Sequence, residues 1–215
     1  MAAAAITVLY EDKRGPRQGF GLHMLVKACV FDAMNGERHR VEGMLSDHRP
    51  LKGVQALLKA CREDIDLIAA DGRSVVAVID DDAIREQLKL PRSATDAQVE
   101  REIRKGCKAP DRLLIVLLKK NMESVIEAAA ACDPGIDAER IDRAIRHKEL
   151  LERDAILTEL SRERARPLRD CVLGKVPSLR VLVDLLSRAL RAGSTAETSA
   201  RVVHAQGHKR KRSMK

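Results

Sequence analysis

The sequence predicts an α/β protein: a central, mostly parallel four-stranded sheet with helices on both faces, followed by a helical C-terminal extension. Three observations carry this expectation. Strand-like and helix-like patterns alternate in β-α-β-α-β-α-β order as far as Leu118, the sign of a parallel sheet with covered faces. Two of the strand-like runs, VVAVI at 75–79 and LLIVLL at 113–118, are continuously apolar, as strands buried on both faces are. From Asp137 to about Leu190 the pattern is helical only. The expected division is an α/β domain over 1–135, a helical region over 136–193 packed on it, and a basic, disordered tail over 194–215.

The elements follow in order. AITVLYED reads as strand one, and the glycine- and proline-containing KRGPRQGFG breaks it. Leu22, Leu25, Val26, Cys29, Val30 and Ala33 recur at three and four, which marks a helix. RVEGMLS alternates weakly and reads as strand two. Pro50 is expected to open the next helix, with Val54, Leu57, Leu58, Cys61, Ile65 and Ile68 on its buried face. ADGRS turns the chain into strand three, SVVAVID. SATDAQ places an N-cap at Thr95 with Gln98 three residues on, the pattern of a capping box. KAPDR then breaks the chain before strand four.

Composition bounds the function. Hydrophobic residues make up 45% of the 215, enough for a core, yet Tyr10, Phe20 and Phe31 are the only aromatics. A base-stacking platform of interleaved aromatics is therefore not expected. The net charge is +8. Six Lys/Arg against Glu197 in the tail account for +5 of it, so the body is nearly balanced, and the tail's HKRKR reads equally as a salt-sensitive nucleic-acid arm or a solubilising end. The five cysteines are scattered, with no Cys-x-x-Cys pair and no histidine at ligand spacing. Structural zinc and a disulfide framework are not expected, and Cys29 and Cys61 read as reduced core residues. With no signal-peptide pattern and no membrane-length apolar run, the expected setting is cytoplasmic, away from membranes.

Three strands end in charged clusters. Glu11-Asp12 closes strand one, Asp80-Asp81-Asp82 closes strand three, and Lys119, Lys120 and Glu123 follow strand four. Functional groups of open parallel sheets collect at these carboxyl ends. Alternation along an extended segment would point Asp80 and Asp82 together and Asp81 away. If Glu11 joins them, the carboxylates repel unless a hard divalent cation, Mg2+ or Mn2+, sits among them. Such a site suits phosphoryl chemistry. Lys13, Arg14 and Arg17, in the loop beside Glu11, and Lys120 are candidate nucleic-acid contacts. The plainer alternatives are that Asp82 caps a helix, Glu123 serves a helix dipole behind Asn121, and the cations are solvated.

Glu at the end of strand one with Asp-x-Asp at the end of strand three, in this strand order, resembles the Toprim domain shared by topoisomerases, bacterial primases and overcoming-lysogenization-defect nucleases. Glu11 matches the family's first glutamate, and Asp80 and Asp82 match its Asp-x-Asp. A closer likeness is to stand-alone bacterial Toprim-like proteins. LLIVLLKKNMESVIEAA resembles their element after strand four, with Glu123 at its glutamate, and KVPSLRVLVDLL resembles a later helix, with Ser178 at its serine. Asp12 replaces the usual glycine, Val125 a tryptophan and Leu179 a phenylalanine. The resemblance implies a Mg2+- or Mn2+-dependent nuclease acting on DNA, in phage defence or on a mobile element, using Glu11, Asp80, Asp82 and Glu123. Two alternatives stay open: a non-catalytic Toprim-like subunit bound to another protein, and a receiver-like phosphoacceptor with Lys119 or Lys120 as its cation.

Overall fold

The computed structural model describes residues 6–12, 21–69, 73–119, 121–147 and 149–192. The strands are β1 (Ile6–Asp12), β2 (Asp47–Lys52), β3 (Ser74–Asp80) and β4 (Leu113–Leu118). All pair in parallel, in the order β2-β1-β3-β4. The helices are α1 (Gly21–Ala33), α2 (Arg38–Met44), α3 (Gly53–Arg62), α4 (Ile65–Ile68), α5 (Asp81–Gln87) and α6 (Asp96–Arg104). After β4 come α7 (Asn121–Cys132), α8 (Ala138–Ile145), α9 (Leu150–Ser161), α10 (Arg166–Lys175) and α11 (177–192). The α/β class and the helical extension read from the sequence are those of the structure.

Strand alternation divides the interior in two. Val8 and Tyr10, Val76 and Val78, and Val116 and Leu118 face one side, packed with α1, α2 and α7–α11. Leu9, Val75, Ala77, Ile79, Ile115 and Leu117 face the other, packed with α3–α6. The C-terminal helices thus share one core with a sheet face. Each fully buried aliphatic side chain contributes about 1.5–3 kcal/mol, and both layers require β3 from Val75 to Ile79, and β4, to be apolar at every position. That is why their sequences show no alternation.

Two expectations for the second strand are corrected. RVEGMLS lies in α2 and the turn after it: Val41 and Leu45, four apart, are the residues it buries. The strand is the polar stretch DHRPLK that follows. β2 is an edge strand, paired with β1 alone, and one open side tolerates both its polarity and the missing N–H of Pro50. Pro50 therefore sits opposite Tyr10, and the helix opens later, at Gly53, whose φ of +78° suits glycine, and closes at Arg62, so Ile65 and Ile68 belong to the separate α4. The expected Thr95–Gln98 capping box is present. A third correction concerns the cysteines. Cys132, ending α7, and Cys171, in α10, form a disulfide with Cα atoms 6.0 Å apart. They are 39 residues apart in the chain, so only the packing of α7 on α10 brings them together. Cys29 and Cys61 are free and buried, as expected.

Among the described residues no helix is long and apolar enough to cross a membrane.

Candidate functional site

The chain runs from β1 to β2 on one side, then recrosses β1 to place β3 on the other. The carboxyl ends of β1 and β3 therefore flank a topological switch point, the crevice where open α/β sheets bind ligands. Glu11 and Asp80 stand at these two ends. The backbone N–H of Asp80 donates to Glu11 Oε2 at 3.3 Å, which holds the first glutamate against the start of the aspartate triplet.

The triplet splits three ways. Asp80 occupies the N-cap position of α5, yet its carboxyl makes no capping hydrogen bond. Asp81 is buried on a separate network: Arg85 Nε donates to its Oδ1 at 2.8 Å and Lys119 Nζ to its Oδ2 at 3.1 Å. The same two cations bind Asp96 Oδ1, at 2.9 and 2.6 Å, and so fasten α5 to the start of α6 and the end of β4. Asp82 is exposed in the first turn of α5. Asp81 and Asp82 are thus helical rather than extended. The sequence-based grouping of Asp80 with Asp82 rested on strand alternation, whereas the helix start is what separates Asp81 from its neighbours.

Glu123 lies in the first turn of α7, which begins at Asn121. Its Oε1 accepts from Arg153 Nη2 at 2.6 Å. Arg153, on α9, is 8% exposed, and its Nε donates to the Ala144 carbonyl at the end of α8. One guanidinium so joins α7, α8 and α9 beside the switch point. A close approach seats α9 on α1: Gly21 N–H donates to Asp154 Oδ1, and a Cβ at Gly21 would meet Asp154 atoms at 2.9–3.0 Å. Sequence reasoning missed Arg153. It is one arginine among many in a helical stretch, and the only local signal is its place on an otherwise apolar stripe with Ile156, Leu157 and Leu160.

Asp80 carries the electrostatic consequence. Burial first, then the charges of Glu11, Glu123 and Asp82, push its carboxyl from 3.8 up to about 7, while Arg153 opposes the rise. Glu11, Glu123 and Asp82, the other carboxylates proposed from sequence, are therefore each within electrostatic reach of Asp80. Their chemistry, hard oxygen donors only, fits Mg2+ or Mn2+. Their present spacing is looser than a coordination shell: among the described residues, no group of three or more His, Cys, Asp or Glu side chains is disposed to hold a metal ion.

Of the proposed nucleic-acid contacts, Lys13, Arg14, Arg17 and Lys120 lie outside the described residues, as does the basic tail. Lys119 is engaged by Asp81 and Asp96 rather than by Asp80, which is not the pairing a receiver-like phosphoacceptor needs.

The end of β1 is braced by a pair of histidines that sequence reasoning left without a role. His23 Nε2 lies 3.0 Å from the Leu45 carbonyl, so that nitrogen donates, and Nδ1 accepts from the Tyr10 hydroxyl at 3.0 Å. His48 stacks on His23 with ring centres 4.0 Å apart. Burial, with the neighbouring His48, lowers His23 to about 3, so the ring stays neutral.

Comparison with known proteins adds no relative: no family model matches the chain, and no curated protein or solved structure matches it significantly.

Proposed function

We propose that this chain is a Mg2+- or Mn2+-dependent nuclease of Toprim type that cleaves DNA phosphodiester bonds in the cytoplasm, in phage defence or on a mobile element. The observation that carries the reading is Asp80. It is a largely buried carboxyl at the switch point, raised first by that burial and then by three neighbouring acids, with no capping bond to explain its place. Glu11, Asp80 and Asp82 would hold the ion, and Asp82, exposed on the first turn of α5, has the freedom to turn toward the other two. When bound, such an ion polarises a phosphate and activates water. The chain's own groups supply the rest. Glu11 is held against the Asp80 N–H and can accept or return a proton. Arg153 holds Glu123 at the rim, and Asp81 keeps Lys119 and Arg85 out of the cluster.

A second reading, a non-catalytic Toprim-like subunit that binds a partner protein, is favoured by the loose spacing of the acids and by the neutralisation of Glu123 by Arg153. Plasmid DNA separates the two. The nuclease reading predicts nicking or linearisation with Mg2+ or Mn2+, abolished by EDTA and by Asp80→Ala. Equal cutting by the variant and the wild type overturns it.

A further inference from the structure

We propose that a second cleft, which shares no lining residue with the carboxylate cluster, binds an organic anion of nucleoside-monophosphate size, with its phosphate on cations and its flat ring on Phe31. The cleft measures about 420 Å³, within the range of small-ligand sites. It lies between the outer face of α1, α2 and the connection from α9 to α10. Met24, Lys27, Ala28 and Phe31 recur along α1 at helical spacing, and Val41 and Arg162 close the opposite walls.

Its polar side is cationic and under-used. Arg169 is 2% exposed and fixed from within: Nε donates to Asp32 Oδ2 at 2.7 Å, and Nη1 donates to the carbonyls of Leu160 and Arg162. Its Nη2 has no hydrogen-bond partner among the described residues, and the side chain lines the cleft. Lys27 and Arg162 line it as well, and neither side chain makes a hydrogen bond or ion pair among the described residues. The acids present are Glu42, which Arg38 binds at 2.8 Å, and Glu163. A rigid, desolvated guanidinium edge flanked by two further cations is the donor set a phosphate needs. Phe31 is one of only three aromatics in the chain, and it borders those cations beside Met24 and Val41. A purely inorganic anion would leave that apolar wall uncovered.

Calorimetric titration of the full chain with AMP, adenosine and inorganic phosphate at low salt tests the proposal. AMP should bind saturably at a single site, more tightly than either of the others. Lys27→Ala and Arg162→Ala should each weaken AMP by about tenfold, the loss of one charge-assisted contact. Phe31→Leu should weaken AMP while leaving phosphate unchanged. Asp80→Asn should leave AMP binding as it is, so the outcome is independent of any nuclease activity. Failure of AMP to bind at millimolar concentration overturns the proposal. So does AMP binding unaffected by the two cation variants, or phosphate binding as tightly as AMP.

Discussion

Asp80 gives its backbone N–H to Glu11 Oε2 at 3.3 Å, across 69 residues of chain. Two acids thus meet where β1 and β3 end, in a contact that takes up one lone pair of Glu11 and leaves the Asp80 carboxyl with three acidic neighbours. A fold that gained nothing from this crowding would be more stable with a neutral group there.

The crowding at Asp80 makes the stability of the fold depend on pH. The folded-state value of Asp80, about 7, lies above its ordinary 3.8. Between these values the folded chain holds a proton that the unfolded chain has released, so stability falls as pH rises from about 4 to about 7. Asp80→Asn removes the penalty. The variant's stability relative to wild type should increase by roughly 1–3 kcal/mol between pH 4 and pH 8, measured by urea unfolding without metal. A difference independent of pH would contradict the placement of Asp80.

Arg153 should be a stability residue as well as a positioning one. Its removal takes from Glu123 the guanidinium that binds its Oε1, and from the Ala144 carbonyl the Nε donor. Breaking a buried pair costs about 3–5 kcal/mol, and the partial exposure of Glu123 reduces this, so Arg153→Met should lose roughly 2–3 kcal/mol. The double variant Arg153→Met with Glu123→Gln should recover part of the loss. A loss below about 0.5 kcal/mol in equilibrium unfolding would remove this role.

His23 acts in the opposite pH direction to Asp80. Its folded value, about 3, lies below its ordinary 6.5, so its contribution is complete above about 6.5 and is lost as pH falls toward 3. In a histidine NMR titration one ring should stay neutral through pH 5–8, and His23→Ala should identify it. A His23 midpoint near 6.5 would show that the Tyr10–His23–Leu45 chain does not form.

Much of this was legible in the sequence because it lies in apolar periodicity. β3 and β4, α1, the Val54–Cys61 face of α3 and the Thr95 cap are local patterns that packing left intact. β2 was not legible, since an edge strand needs no apolar run and Val41 and Leu45 fit helix and strand alike. The Glu11–Asp80 meeting was inferable from strand order. The division of the triplet was not, because it depends on Arg85 and Lys119 taking Asp81. Arg153, the His23–His48 stack and the Cys132–Cys171 bond all join segments distant in the chain, and no local pattern announces such pairings.

The most direct test of the central claim, that Glu11, Asp80 and Asp82 share a hard divalent cation, is thermal unfolding at pH 8 with and without millimolar Mg2+. Binding to the folded state raises the melting temperature. Wild type should melt several degrees higher with Mg2+, while Asp80→Asn and Asp82→Ala should show no shift. A wild-type melt unmoved by Mg2+, or variants shifted as far as wild type, would contradict the account.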